Sequence, residues 1–366
     1  MLQYIISFIV LISIVVFVHE YGHYYFAKKY KVGVTDFSIG FGKELFGFDD
    51  KYGTRWKICA IPLGGYVKFF GDSNSASQPV SLTKIDKKYH SKLLTTKPLY
   101  QRSLIVSAGP LANFILAIFI FSIIFMTVGK DVTLPVISEV NKNSPAQTAG
   151  LKSNDQITFV DGKKIDSIND VAYLISTSKK DIVKVEVIRN KKILSFNIKP
   201  EKKVVKDSFG NSIERKLIGI KISPLKGEVK RERMGPSKAI YLSVKEVWNT
   251  ISMTLSYLGR MIAGNESANQ LGGPIKIAQI SGQVAEHGLV PFLSIMAYIS
   301  ISLGLINLFP IPLLDGGHLF FYLLEFIRGK PLSEQVQLYF YKFGMALLMT
   351  LMFFATYNDL KSIGLF

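Results

Sequence analysis

The chain has 366 residues, with 44 Lys+Arg against 27 Asp+Glu, a formal net charge of +17, 19% charged and 48% hydrophobic residues; a disordered polyelectrolyte, which combines high charge with low hydrophobicity, is excluded. Apolar residues gathered into long runs argue against one ordinary soluble domain, and a single cysteine, Cys59, excludes an intrachain disulfide framework or a cysteine-rich zinc site, so any metal must be held by His and carboxylate. The sequence holds no nucleic-acid-binding module, so the positive balance points to Lys and Arg facing the anionic lipid of a bilayer, with no nucleic acid partner.

Residues 1–18 carry no charge, and the first basic residue is Lys28. About 20 mostly apolar residues cross a bilayer core, so this segment is long enough to span. It lacks a basic n-region and a small-x-small cleavage site, and is expected to be a retained helix rather than a signal peptide. Residues 37–72 hold strand-like runs with many glycines, a pattern tolerated at membrane depth only where the backbone is buried in protein or lines water. An exposed strand edge there suits pairing with an unwound substrate helix, although the glycines also fit ordinary turns. Residues 103–129 form a second uncharged run, in which Gly109-Pro110 offers close packing or a local break.

Residues 132–223 change character. Short β-rich runs, clearest at Val183-Lys184-Val185-Glu186-Val187-Ile188, alternate with turns such as Asp161-Gly162. Within Ser144-Pro145-Ala146-Gln147-Thr148-Ala149-Gly150-Leu151 a short helix should end at Gly150, with a strand starting near Ile157 and a hairpin at Asp161-Gly162. Residues 247–259 are apolar but only 13 long and flanked by Lys245, Glu246 and Arg260, which fits a surface-lying amphipathic helix. Residues 288–314 are uncharged, with Pro291, Pro310 and Pro312, and a span there should end near Asn307 or Phe309. Residues 335–358 carry one charge, Lys342, and give the fourth span. Lys28, Lys29 and Lys31 follow the first span at once, so the N-terminus should lie outside and residues 27–102 and 315–334 in the cytoplasm. Residues 130–287 would lie outside; they are basic too, but long translocated domains largely escape the charge rule.

At the end of the first apolar run, His19-Glu20-Tyr21-Gly22-His23 reads H-E-x-x-H. On a helix, i and i+4 share a face, so two imidazoles can reach one zinc ion per chain. Glu20, rotated by roughly 100°, can meet a coordinated water as general base without being a ligand. So short a motif also arises by chance, but two His and a Glu are costly in an apolar helix and mark function by default. A catalytic zinc takes three protein ligands. His90, His287 and His318 do not stand where soluble enzymes of this motif place the third; Asp315, which closes the third apolar segment, is the better candidate and shares the cytoplasmic depth of His19 and His23. His318 is read as an ordinary loop histidine.

The order of these motifs resembles the site-2 protease family of intramembrane zinc metalloproteases, and within it the regulator of sigma-E protease type. The resemblance rests on H-E-x-x-H in the first span, Asn307-Leu308-Phe309-Pro310-Ile311-Pro312-Leu313-Leu314-Asp315-Gly316 after the third, Phe37-Ser38-Ile39-Gly40-Phe41-Gly42, Ile61-Pro62-Leu63-Gly64-Gly65-Tyr66-Val67-Lys68, Ser107-Ala108-Gly109-Pro110-Leu111-Ala112-Asn113 and Gly272-Gly273-Pro274-Ile275. Residues 144–162 resemble a PDZ domain of bacterial proteases, departing at Asn154 where the pattern has Gly; Asn is the next most tolerant of left-handed backbone. The resemblance implies a polytopic α-helical membrane protein of about four spans with a membrane-associated β-hairpin and one inserted PDZ-like domain. It divides the chain into 1–129 and 288–366, the halves of the protease core, 130–225, PDZ-like, and 226–287, a linker with the amphipathic helix. It implies zinc on His19, His23 and Asp315, Glu20 as the catalytic residue and Asn307 as the holder of the substrate backbone, although Asn307 also suits satisfying a broken helix beside Pro310.

The expected substrates are single-span membrane proteins, usually trimmed beforehand, such as anti-sigma factors or remnant signal peptides. Cleavage would occur in the bacterial inner membrane, near its cytoplasmic face, with the PDZ-like domain outside, either capturing a peptide or C-terminus or serving as a spacer. A zinc-binding transporter and a non-catalytic scaffold are the competing readings. The first is disfavoured by Glu20 at the base position and the lack of an internal repeat, the second by the full set of catalytic groups.

Overall fold

The computed structural model describes residues 2–72, 85–165, 168–178, 180–206, 212–224, 231–264 and 272–362. The chain forms two compact units, Met1–Ser122 with Ile240–Phe366, and Ile123–Ala239. The expected boundary at residue 225 lies outside the described residues.

In the first unit, α1 (Leu2–Lys29) buries Leu11, Val15, Val16, His19, Glu20, His23 and Ala27 along one stripe and leaves Ile5, Ile9 and Phe17 outward. An apolar outer face on an apolar helix suits lipid. Strands β1 (Val34–Asp49) and β2 (Arg55–Phe69) form a hairpin that curls on itself. Phe37, Ser38 and Ile39 each have two partners, Val67, Tyr66 and Gly65 on one side and Trp56, Lys57 and Ile58 on the other. Residues 44–49 pair with the outer side of 55–59, so the two strands give a sheet four segments wide with 65–69 at one edge.

The turn between the strands is organised by Asp50. Its carboxylate accepts the backbone N–H groups of Tyr52 and Thr54 (2.8 and 2.9 Å), the Tyr24 hydroxyl of α1 (2.8 Å) and the Trp56 indole N–H (3.2 Å). Trp56 in turn stacks on the buried Phe37, ring centroids 4.1 Å apart. Burial pushes the Asp50 carboxyl up, but these four donors outweigh it and hold the group down at about 2.

The second membrane-length helix is α2 (Leu99–Thr127), which continues through Pro110. The second unit follows, with β3 (Lys130–Asp131), β4 (Pro135–Val140), α3 (Pro145–Ala149), β5 (Gln156–Val160), β6 (Lys163–Lys164), α4 (Ile168–Thr177), β7 (Val183–Arg189), β8 (Lys192–Ile198), β9 (Glu201–Lys206), β10 (Ser212–Leu217), β11 (Ile220–Pro224) and β12 (Arg231–Glu232). Its main sheet runs β11-β4-β5-β7-β8, with β6 on β5, while β9 pairs with β10 and β12 with β3. Val183, Val185 and Val187 alternate into a core with Ile137, Ile157, Val160, Val171 and Ile198, the period of a half-buried strand. Gly150 ends α3 at φ 92°, and Asn154 sits at φ 71°, the left-handed conformation that its place in the motif demands. The buried Asp155 carboxylate is held by Arg189 at 2.6 Å through both oxygens.

Helix α5 (Pro236–Ile262) is 27 residues long, twice the expected 13. Lys245 and Glu246 do not end it, because charges on the outer face of an amphipathic helix do not interrupt it. Helix α6 (Pro274–Glu286) was not visible as a helix in the sequence. It packs along α1, with Gly282 so close to the Tyr4 ring that a Cβ would collide with it. Then come α7 (Leu289–Asn307), α8 (Asp315–Arg328) and α9 (Glu334–Ser362). Among the described residues, four helices are long and apolar enough to cross a membrane: α1, α2, α7 and residues Gln335–Ser362 of α9.

The start of α6 is capped from α9. Asp359, 1% exposed, accepts the N–H groups of Gly273 (2.8 Å), Ile275 and Lys276 (both 3.1 Å). A carboxylate satisfies the orphan donors of a helix N-terminus and meets the positive end of its dipole. Asp359→Ala strands three donors, and with bonds to charged groups worth about 1.5–3 kcal/mol it should lower stability in detergent by at least about 2 kcal/mol, read as a fall in the thermal midpoint. Asp50 gives a pH prediction. Its carboxyl is depressed on folding, so its contribution is present above pH ~4 and is lost as the pH falls through about 2. Trp56 emission in a Trp248→Phe background should therefore hold steady from pH 7 to 4 and change below that, and Asp50→Asn should remove the acid transition.

Candidate metal centre

Helix α1 presents His19 and His23 one turn apart, and α8 begins at Asp315. Between α7 and α8 the chain cannot stay helical through Pro310 and Pro312. It turns at Leu313, whose φ of +82° is strained for a bulky side chain, at a cost of order 1–3 kcal/mol. The turn is held by tight packing: a Cβ on Gly316 would collide with the Leu308 and Phe309 carbonyls, and one on Gly317 would come within 2.5 Å of the Ile311 carbonyl oxygen. This loop delivers the Asp315 carboxylate to α1.

His19 Nε2, His23 Nε2 and Asp315 Oδ2 form a near-equilateral triangle, with sides of 3.3, 3.2 and 3.4 Å. His19, His23 and Glu20 are all less than a tenth exposed. His23 donates its Nδ1–H to the Ile105 carbonyl at 2.9 Å, so in the neutral ring Nε2 carries a bare lone pair. That lone pair faces Asp315 Oδ2, a buried oxygen with no hydrogen-bond partner among the described residues. Electron pairs converging in a buried site repel unless a cation lies among them. A tetrahedral ion with bonds of about 2.0–2.1 Å sets its ligands about 3.3 Å apart, so the triangle is the size of one face of a zinc site. The three residues fit the metal.

The surroundings are built for close approach. A Cβ on Gly109 of α2 would collide with the His23 ring, and one on Gly65 of β2 would lie 2.7 Å from the Val16 side chain and 3.3 Å from Glu20 Cγ. These glycines let α2 and the edge of the hairpin close over the metal-facing side of α1. A cavity of about 760 Å³ opens beside the cluster, lined among others by Glu20, Gly65, Val67, Arg102, Asn307 and His318. Asn307 Nδ2 is 3.4 Å from His19 Nε2, where the cavity meets the cluster. His318 is half-buried in the wall with its ring 6.0 Å from that of Tyr341, and loss of solvation pushes its imidazole down. His90 bonds the Ile85 carbonyl and His287 that of Gln283; neither joins the cluster.

Two features escaped the sequence. Arg102 of α2 grips Glu325 of α8 through both nitrogens, at 2.9 and 2.5 Å, and lies over the Tyr322 ring, fixing the helix that carries Asp315. Asn113, fully buried, touches His19 Nδ1. Nothing in the spacing of residues so distant in the chain announces either pairing. Asn113 does stand in the Ser107–Asn113 motif, which could have marked it.

Among the described residues, four membrane-length helices accompany a His–His–carboxylate cluster with a glutamate beside it, the donor set of a membrane metallohydrolase. Comparison with known proteins gives the family. The model of peptidase family M50 matches residues 7–351. A protein of Agrobacterium fabrum named as a zinc metalloprotease is 42% identical over 362 residues, 98% of this chain and 96% of the relative. One of Rhizobium meliloti with the same kind of name is 40% identical over 98% of this chain and 97% of the relative. The regulator of sigma E protease of Haemophilus influenzae is 32% identical over 96% of this chain and 97% of the relative. Among solved structures, the PDZ domain of an SdrC-like protein of Listeria innocua is 27% identical, covering 25% of this chain and 92% of that domain, with a TM-score of 0.19. The chain belongs to peptidase family M50, the site-2 proteases, and is a zinc metalloendopeptidase.

Gly109→Ala sets a methyl group against the metal-facing edge of His23. It should lower zinc affinity at least ~10-fold, the size of losing an outer-shell support, as measured by competition with a chelator. Unchanged affinity would show that α2 is free to retreat.

Proposed function

We propose that the enzyme cleaves peptide bonds within, or at the edge of, transmembrane segments of other membrane proteins. The observation that carries this is the meeting of His19, His23, Glu20 and Asp315 in the C-terminal half of a membrane-length helix, beside a cavity bordered by a strand edge. His19, His23 and Asp315 hold the zinc. When bound, zinc polarises the scissile carbonyl and makes water acidic enough to deprotonate near neutral pH. Glu20 takes the proton of the attacking water on a carboxylate oxygen and returns it to the leaving nitrogen. Its carboxylate approaches the Val67 backbone amide and lies beside Gly65, within reach of a chain laid along β2.

A transmembrane helix ties up its carbonyls in hydrogen bonds, so it must be unwound before water can attack. Residues 65–69 form one edge of the hairpin sheet, and an unwound substrate segment pairs there as an added strand. Asn307 reaches the same space and positions the substrate backbone or donates to the developing oxyanion. The flanking charges and the family support a place in the bacterial inner membrane, with the active site near the cytoplasmic face and residues 130–225 outside. Residues 130–225 act as a PDZ-like module that excludes intact ectodomains, a role supported by the Ser144–Leu151 pattern. Substrates are then single-span proteins already trimmed outside, such as anti-sigma factors or remnant signal peptides, in keeping with the name of the Haemophilus influenzae relative.

The test is cleavage of a single-span substrate lacking its ectodomain, with zinc measured on each purified protein. Glu20→Gln should lose about 10²–10⁴ in rate and keep its zinc. Asp315→Asn should lose both activity and zinc affinity. Equal cleavage by Glu20→Gln would overturn the assignment of the base. Zinc bound by wild type without cleavage of any membrane-spanning substrate would overturn the substrate class.

A further inference from the structure

His23 has a fixed partner behind it, the Ile105 carbonyl. The corresponding nitrogen of His19, Nδ1, lies 3.2 Å from Asn113 Nδ2, and Asn113 Oδ1 is buried with no hydrogen-bond partner among the described residues. This arrangement leaves a contradiction. If Nε2 of a neutral His19 faces the zinc with its lone pair, the ring proton sits on Nδ1, and two donors then oppose each other. A half-turn of the Asn113 amide exchanges its oxygen and nitrogen with no change of shape. The carbonyl oxygen then accepts the Nδ1–H, and the partnerless oxygen gains its bond.

We propose that Asn113 is a positioning residue of the metal centre: its side-chain carbonyl accepts the Nδ1–H of His19 and fixes the tautomer that turns Nε2 to the zinc. The inference rests on the metal-centre reading given above. Asn113 is itself well anchored. It is 0% exposed, its backbone carbonyl accepts the Ser300 hydroxyl of α7 at 2.8 Å, and Gly304 of α7 leaves so little room that a Cβ there would lie 3.3 Å from Asn113 Cβ. Helix α2 thus supplies the acceptor behind both histidines, Ile105 from its backbone and Asn113 from its side chain. Fixed outer partners of this kind hold the ring orientation and raise the basicity of the ligand nitrogen.

The experiment compares the full-length wild type with Asn113→Leu, which keeps the volume without an acceptor, and Asn113→Asp, which keeps an acceptor without the amide donor. Zinc affinity is measured by chelator competition, and the visible spectrum is recorded after cobalt substitution. Asn113→Leu should bind zinc 10–100-fold more weakly and give a shifted cobalt spectrum, and Asn113→Asp should stay within about threefold of wild type. Wild-type affinity and spectrum in Asn113→Leu would overturn the proposal. So would Asn113→Asp as weak as Asn113→Leu, because the acceptor would then not be what matters. A wild type that binds no stoichiometric zinc would overturn the metal-centre reading, and this proposal with it; normal zinc in wild type and Asn113→Leu alike overturns this proposal alone.

Discussion

The structure is arranged around three lone pairs that have to be held together in an apolar setting. Two imidazole nitrogens and a carboxylate oxygen at about van der Waals distance repel one another, and burial weakens the screening between them. Holding them there requires every neighbour to be fixed. Helix α2 approaches α1 so closely at Gly22 that a Cβ would meet the Ala108 backbone. Small residues at such a contact are how helices pack tightly without a hydrophobic drive between them. The strained turn at Leu313 and the Arg102–Glu325 grip bring α8 in from the other side. The centre is thus braced by α2 behind the histidines and by α8 across from them.

The hairpin extends the same bracing to the side where chemistry occurs. Asp50 ties the turn to α1 through Tyr24, and the buried Val34, Phe37, Val67 and Phe69 pack with Ala27 and Ile105. The sheet edge at residues 65–69 is therefore rigidly registered against Glu20 rather than loosely draped near it. A strand of two faces and one open edge is normally an aggregation hazard. Here that edge borders the cavity beside the cluster, where Gly65, Val67 and Phe69 line its wall.

Much of this was legible in the sequence. Uncharged runs announced the membrane-length helices because every side of such a helix is apolar, and the H-E-x-x-H and Asp315-Gly316 motifs lie at their ends. The turn glycines and Asn154 marked left-handed backbone, which only a few residues tolerate. What could not be read has a common physical origin. Helix α6 mixes Lys276, Gln279 and Gln283 with apolar residues, so it has no long apolar run, and its start depends on Asp359 from 86 residues away. The full length of α5 is hidden in the sequence because Lys245 and Glu246 interrupt its apolar run while lying on one face of the continuous helix. The pairings His19–Asn113 and Arg102–Glu325 join residues 94 and 223 apart, and no local pattern encodes a partner at such a distance.

The wide separation of the ligands along the chain also bears on how the enzyme is made. His19 and His23 are synthesised early, and Asp315 comes 292 residues after His23. At roughly 5–20 residues per second the ribosome needs about 15–60 s to cover that stretch. For that interval the nascent chain has a complete first helix but only two of the three groups of the candidate metal cluster. The cluster of His19, His23 and Asp315 can close only once residue 315 has been made, a timing set by the order of these residues along the chain.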